Sequence, residues 1–568
     1  MKRVLIGHRG VGKTSLLKRH AEYFSEIKHF DLDLEIEKSI STNISEFFAK
    51  FGEVVFRKKE QEIFKKLLAD NKDFVVSLGA GFDLSILPKD IDVLYVSRIT
   101  DADGHIFLNR PRLEPGSGPL EESLKLFKLR SPQYRKAASK IYHMPEGVDS
   151  VNDIEKNILS NTFEVSDAYY TLSVQDLPQL AVLLRCYKKI ELRTDLLSME
   201  VITDLLSQYP DHQWLVSIRT YTSIDYKNID VDYKYYFAGC QILSSHIDQI
   251  DEAISQLSQI SEKLHLKISP LVENFQDLIK GYNWQQEDAN NRSFLPRSRT
   301  GKWVWFRQLC KYNQKINFIR NFTEIADQPS LFEWLCLPIE KPISWGAVLG
   351  KPIYFSRSPV KHQKYFFQKK TFFTRIEISP EEMKKYIYFF INLGMHYASV
   401  TSPLKAVAFE LSEARSEEAT QFTSVNTLYI KNKKIFGHNT DLVGFKKLVE
   451  GIKSTDTVAV WGGGGTLTMM KSVLPQAQFY SSRSGEPREI QIEALSAYDY
   501  LIWAAPRSVS TKSPRDLFRA KKLIDLNYTE NSMGLEFAAN RKIDYISGIA
   551  MFNAQADAQQ EFWLTNKL

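Results

Sequence analysis

The sequence predicts a multidomain α/β protein, on three observations. The chain has 568 residues, well past the size at which one hydrophobic core stops growing, so roughly three or four domains of about 150 residues are expected. Short β-branched runs alternate with longer amphipathic stretches, the pattern of parallel sheets covered by helices. Two glycine-rich turns, GHRGVGKT from Gly7 and WGGGGT from Trp461, each follow an apolar strand pattern and lead into a helix pattern. Such turns aim backbone N–H groups at phosphates.

Composition narrows the function class. Hydrophobic residues make up 43% and charged residues 25% of the chain, ordinary for a folded protein. The net charge of +6 is small for the length and suits anionic small molecules. No basic tail or aromatic-basic interleaving argues a nucleic-acid groove. Cys186, Cys240, Cys310 and Cys336 are scattered without a CxxC pair, which fits a reducing compartment and no structural zinc site. The start is too short in apolar residues for a signal peptide, and no run of about eighteen apolar residues exists. A cytoplasmic protein with no membrane and no nucleic-acid partner is expected.

Along the chain, residues 1–150 read as a first domain, with strands at Val4–Ile6, Phe74–Ser77 and Val93–Val96 and an amphipathic stretch at Ile44–Leu68. RPRLEPGSGP, from Arg110, reads as a mobile loop, and MPEGVDSVND, from Met144, as a linker. Residues 151–340 form a second block, with strands at Lys189–Leu192, Trp214–Ile218 and Leu266–Ile268. LPIEKPISWG, from Leu337, marks the second boundary. Residues 341–568 hold two parts, about 341–450 and about 451–545, and a C-terminal return helix.

In the first block Gly7, Gly10 and Gly12 let N–H groups turn inward around phosphate oxygens. Lys13 reaches the β- and γ-phosphates, and Thr14, followed by Ser15, ligates magnesium. ATP and Mg2+ are the expected ligands. FDLDLEIE then places Asp31 and Asp33 on one face of an extended stretch. GEVVFRKKE supplies Arg57, SLGAG supplies Gly79 and Gly81, RPRL supplies Arg110 and RSPQYRKAA supplies Arg130. In this order the motifs resemble shikimate kinase. The resemblance implies a P-loop kinase fold in which Asp33 orients the attacking hydroxyl of shikimate and Asp31 lies near the metal. Arg57 and Arg130 grip the carboxylate, Gly79 and Gly81 let the backbone approach the ring, and Arg110, in a lid, neutralises charge during transfer. Ala80 stands where the family has the middle glycine of a GGG turn, and RPRL replaces RPLL.

In the third block Gly462, Gly464 and Gly465 follow the strand Thr457–Trp461. A second strand, Gln478–Ser481, ends beside Ser482 and Arg483. An acidic residue there would hold the ribose hydroxyls of NAD, whereas serine and arginine suit the 2′-phosphate of NADP. Upstream lie GKPIYFSRSPVKHQ, GMHYASVTSPLK, SVNTL and GHNTDLVGF, and near the end GIAMFNAQADAQQEFW. Together these resemble shikimate dehydrogenase, which implies a two-part α/β dehydrogenase with a Rossmann NADP(H) domain. It also implies a Lys405–Asp441 pair at the reacting carbonyl, able to donate a proton as hydride arrives. Ser356, Ser358, Thr401, Asn426 and Gln555 would bind the substrate carboxylate and hydroxyls. Gln363, Ser399 and Trp503-Ala504-Ala505 depart from the family pattern.

The middle block opens with KKIELRTDLLS, which resembles the first strand motif of type I 3-dehydroquinate dehydratase. SIRT (Arg219), SSH (His246), LKIS (Lys267), WFRQL (Arg307) and DQPS (Gln328) follow. The resemblance implies a Schiff base at Lys267, a proton shuttle at His246 oriented by Glu191, and substrate contacts from Arg193, Arg219, Arg307 and Gln328. Apolar neighbours give Lys267 a route to a lowered pKa. The family is a (β/α)8 barrel, which usually needs about 200 residues or more. A shortened barrel is expected here, with the loss chiefly between Arg219 and His246.

The order of the three resembles the C-terminal three domains of the arom multifunctional enzyme. It implies a trifunctional shikimate-pathway enzyme acting on 3-dehydroquinate, 3-dehydroshikimate and shikimate, with a homodimer left open. Two alternatives stand: a kinase and dehydrogenase around an inactive barrel, or a non-catalytic regulator of the quinate-pathway type. Retention of Lys13, Asp33, Lys405 and Asp441 weighs against the regulator.

Overall fold

The computed structural model describes residues 2–107, 116–146, 151–219, 228–232, 242–258, 264–321, 325–489, 495, 497–508, 510–514 and 519–565, without the side chains of 219 and 228–232. Arg110 with its loop, Cys240 and the Arg219 side chain therefore lie outside the described residues, as does part of the Met144–Asp153 linker.

Strands β1 (Lys2–Ile6), β2 (Lys28–Asp31), β3 (Phe74–Ser77), β4 (Asp92–Ser97) and β5 (Lys140–His143) form a parallel sheet in the order β2-β3-β1-β4-β5. Val4 and Leu5 of the central strand are fully buried, as expected where helices cover both faces. The glycine loop leaves β1 at its carboxyl end, the edge where open α/β sheets bind ligands. Two sequence expectations change here. The amphipathic run becomes the helix Ile44–Asp70, broken at Gly52 (φ 76°, ψ 174°). Asp31 and Asp33 do not share an extended face. The chain enters the helix Leu32–Ile40 directly after Asp31, whose carboxylate caps it by accepting from the Asp33 amide. A strand-end aspartate before a helix-forming run favours the cap over continued extension.

The second sheet runs consecutively through β6 (Val165–Leu172), β7 (Tyr187–Arg193), β8 (Gln213–Arg219), β9 (Asn228–Asp232), β10 (Ile242–Ser245), β11 (His265–Ile268) and β12 (Arg292–Phe294). Its neighbours are parallel except at β9, which is antiparallel to both β8 and β10. The span from β8 to β9 is too short for a helical crossover, so the chain reverses. Along the outer edge of β6, the Tyr169 amide donates to Asn317 O, and the Ile319 amide donates to Tyr169 O.

The third sheet, β13 (Trp345–Gly350), β14 (Phe373–Glu377), β15 (Met395–Val400), β16 (Ala414–Arg415), β17 (Thr427–Lys431) and β18 (Lys434–His438), has the order β14-β13-β15-β17-β18-β16. The fourth, β19 (Val458–Gly462), β20 (Gln478–Tyr480), β21 (Ala497–Ala504), β22 (Arg519–Asp525) and β23 (Asp544–Ile546), is parallel throughout in the order β20-β19-β21-β22-β23. The helix Ile549–Thr565 then returns to the third sheet, where Trp563 donates its indole N–H to Leu428 O at 3.0 Å.

The first three sheets share one apolar core. It runs from Leu5 and Met144 through Trp214 and Phe275 to Trp305, Trp345 and Val400. Trp305 and Trp345 stack across the boundary at 6.1 Å. Among the described residues no helix is long and apolar enough to cross a membrane. Cys186, Cys310 and Cys336 are buried free thiols.

Candidate active sites

The first site forms around the loop after β1. Gly12 precedes the helix Lys13–Tyr23 at φ 99°, a conformation that side chains other than glycine's resist. Lys13 Nζ folds over the loop and donates to Gly7 O (2.8 Å) and His8 O (2.9 Å). Thr14 Oγ1 donates to Asp31 Oδ2 at 2.8 Å, with Ser15 next in the helix. A hydroxyl and a carboxylate at the loop mouth are hard oxygen donors, and they fit Mg2+ completed by phosphate oxygens and water.

The SLGAG turn faces the carboxylates and arginines named from sequence. A Cβ on Gly79 would lie 3.3 Å from Asp33 Oδ1, and one on Gly81 would collide with Arg57 and lie 3.2 Å from Arg130 Nη2. Asp33, Arg57, Gly79, Gly81 and Arg130 are thus brought together. Ala80 is held by its carbonyl, which accepts from the Tyr134 hydroxyl. Glu60 also belongs here, although sequence reasoning gave it no role. It is buried, pairs with Arg57 Nη1 at 2.8 Å, and burial pushes its carboxyl pKa up against the pull of Arg57. Its signal was the i, i+3 spacing from Arg57 on one helix face. Gly81→Ala should displace Arg57 and raise the KM for a carboxylate-bearing acceptor about tenfold, a change of about 1.4 kcal/mol. Steady-state kinetics should show the KM for the nucleotide at the glycine loop little changed.

The second site joins the third sheet to the return helix. Lys405 Nζ lies 2.6 Å from Asp441 Oδ2, and Asp441 is buried. Asp441 Oδ1 accepts from Asn426 Nδ2 (2.9 Å) and Gln555 Nε2 (2.5 Å), and its amide donates to Asn439 Oδ1 at 2.9 Å. Ser356 and Ser358 are buried at the start of the helix Ser358–Gln368, where the Ser358 amide donates to Ser356 Oγ (3.3 Å). Thr401 follows β15, and a Cβ on Gly350 would collide with its methyl. Two departures from the family pattern make packing bonds. Gln363 donates to Cys336 O (3.3 Å), and Ser399 donates to Gln559 Oε1 (2.8 Å). Trp503 is fully buried, and its indole donates to Ala505 O at 3.2 Å.

The second glycine turn leads from β19 into the helix Leu467–Val473. Gly464 and Gly465 face open space, so backbone can approach a ligand there, while Gly462 adopts φ 99°. Gly463, which the sequence reading passed over, adopts φ 78°, and a Cβ on it would collide with Met470. Ser482 and an exposed Arg483 follow β20. Two further basic residues sit beside them: Lys512 Nζ donates to Ser484 O (3.4 Å), and Arg488 Nη2 donates to Gly462 O (3.4 Å). This basic rim fits the additional phosphate of NADP.

The middle block holds the remaining candidates. Lys267 is 1% exposed, with Nζ 5.4 Å from the centroid of the Phe318 ring. Glu191 is buried and accepts from the hydroxyls of Thr171 and Ser217, both at 2.6 Å. His246 follows β10, and its carbonyl accepts from Arg297 Nη2 at 3.3 Å. Arg193 pairs with Asp195 at 2.7 Å. Arg307 donates to Pro296 O (3.0 Å) and Leu295 O (3.2 Å), and burial lowers its pKa to about 10. Gln328 is buried, and its Oε1 has no hydrogen-bond partner among the described residues. Both arginines are therefore engaged by the protein itself. Among the described residues no cluster of three or more His, Cys, Asp or Glu could hold a metal ion.

Residues 9–158 match the family described as shikimate kinase, and residues 348–428 match the shikimate dehydrogenase substrate binding domain. The shikimate kinase of Rhodococcus jostii (strain RHA1) is 33% identical over 145 residues, covering 24% of this chain and 84% of that protein. That of Flavobacterium psychrophilum is 27% identical over 180 residues, covering 31% of this chain and 90% of that protein. The shikimate dehydrogenase (NADP(+)) of Helicobacter acinonychis (strain Sheeba) is 28% identical over 246 residues, covering 39% of this chain and 92% of that protein.

Proposed function

From a chain that belongs, through residues 9–158, to the shikimate kinase family and that carries a shikimate dehydrogenase substrate-binding domain at residues 348–428, we propose an enzyme with consecutive shikimate-pathway activities. The dehydrogenase reduces 3-dehydroshikimate to shikimate, and the kinase phosphorylates that shikimate. The observation that carries this reading is the Lys405–Asp441 contact, held by Asn426 and Gln555, in the same chain as the Thr14–Asp31 pair and the Asp33–Arg57–Arg130 cluster.

The reduction turns a carbonyl oxygen into a hydroxyl. Negative charge grows on that oxygen, and the Lys405 ammonium is oriented by Asp441 to give it a proton. Asn426 and Gln555 keep the Asp441 carboxylate aimed at Lys405. Ser356, Ser358 and Thr401 hold the substrate carboxylate and hydroxyls. Gly462–Gly465 and the basic rim would hold NADPH, which would supply the hydride when bound. In the kinase Arg57 and Arg130 grip the carboxylate of shikimate. Asp33 accepts the proton of the hydroxyl whose oxygen bonds to the γ-phosphorus as the bond from that phosphorus to the β–γ bridging oxygen breaks and ADP leaves, and Lys13 balances charge on the phosphates.

The middle unit is the finer part of the proposal. We assign it a type I dehydratase role, with Lys267 as the Schiff-base lysine, Glu191 and His246 as the proton-handling pair, and Gln328 at the substrate. The burial of Lys267 on the strand β11 supports this. A second reading, an inactive scaffold, is favoured by the engagement of Arg193 with Asp195 and of Arg307 with two carbonyls. Borohydride added to the full-length protein with 3-dehydroquinate discriminates them. The expected result is a covalent mass adduct mapped to Lys267 and absent in Lys267→Met. No adduct and no conjugated enone absorbance, with dehydroshikimate reduction intact, would leave a kinase and a reductase joined by a scaffold.

A further inference from the structure

The reductase meets the kinase at Glu530. Glu530 lies in the turn between β22 and the helix Met533–Arg541. Its carboxylate lies 3.3 Å from Arg98 Nη1, 3.5 Å from His105 Nδ1 and 3.5 Å from Arg357 Nη2. Its carbonyl accepts from the Ile106 amide at 2.7 Å. Arg98, His105 and Ile106 belong to the kinase, while Arg357 lies between the reductase serines Ser356 and Ser358.

The kinase partners abut the phosphate loop. A Cβ on Gly12 would lie 3.3 Å from Arg98 Nη2. A Cβ on Gly10 would collide with Phe107 and lie 3.7 Å from His105 Cγ. Arg9 covers the Phe107 ring at 5.2 Å. His105 is buried and fixed from its other nitrogen by Asp101 at 3.1 Å. Burial alone would lower the His105 pKa, but Asp101 and Glu530 outweigh it and raise it to about 9.

We infer that Glu530 is a positioning residue for the kinase, supplied by the reductase. It holds Arg98 and the segment 105–107 against the glycine loop, so the loop reaches its full affinity for a nucleoside di- or triphosphate only with the reductase docked. Through Arg357 the same carboxylate touches the reductase serine turn, so the two sites share one ion cluster. Any coupling that results is reciprocal in binding free energy. The inference rests on the kinase reading of the loop.

Calorimetric binding of MgADP and, separately, of NADP+ to the full-length protein tests it. Glu530→Gln should raise the Kd for MgADP about tenfold and leave the Kd for NADP+ within about twofold. Should that variant bind neither ligand, Glu530→Asp, which keeps the charge on a shorter arm, takes its place, with a smaller rise expected for MgADP alone. Unchanged or tighter MgADP binding with normal NADP+ binding overturns the inference, as does an equal loss of both affinities in Glu530→Asp, which marks a merely structural role. A wild-type protein that fails to bind MgADP overturns the kinase reading instead.

Discussion

Replacing Lys405 with alanine is expected to lower kcat for NADP+-dependent shikimate oxidation about a thousandfold, while the same preparation phosphorylates shikimate at the wild-type rate. A positioned proton donor or acceptor is worth about 10²–10⁴ in rate, and Lys405 is the cation on Asp441, at 2.6 Å. The substitution also leaves a buried carboxylate without its cation, although Asn426 and Gln555 still hydrogen-bond it. Some loss of stability should therefore accompany the loss of rate. Separate kcat and KM values, read from nicotinamide absorbance, decide the matter. A rise in KM with kcat preserved would make Lys405 a binding group only.

The second large effect is expected at Lys13. Lys13→Ala removes both the cation over the phosphates and the clamp from the side chain to Gly7 O and His8 O. Loss of one electrostatic contact to a developing charge costs about 10²–10³ in rate, so shikimate-dependent ADP release should fall at least about a hundredfold. Dehydroshikimate reduction should persist. A variant that keeps the full kinase rate would remove the assignment of this loop as the phosphate cradle.

Much of this was legible where chemistry is local. A loop such as GHRGVGKT spells its geometry in consecutive residues, and Lys405 and Asp441 each sit in a short motif. Legibility ended where structure depends on remote partners. Arg98 and Glu530 are separated by 432 positions, and no periodicity links them. Lys512 and Arg488 look like ordinary surface residues until the fourth sheet sets them near Arg483. Asp31 and Asp33 alternate as strand residues would, but the cap after Asp31 outweighed that pattern. The antiparallel β9 follows from the length of a connection rather than from side-chain chemistry. Trp305 and Trp345 lie in two different blocks of the sequence, and hydrophobicity reports that a face is covered and not by what.

The stacking of those two tryptophans has a consequence for inheritance and turnover. An apolar core that crosses the boundaries makes each unit part of its neighbour's solvent shield. A lesion that loosens the middle sheet strips cover from Trp345 and exposes surface that a separate reductase would never have presented. Both flanking activities then rise and fall with a single folded population. Even if the middle sheet proved catalytically silent, its buried face would still be under selection, because two other enzymes stand on it.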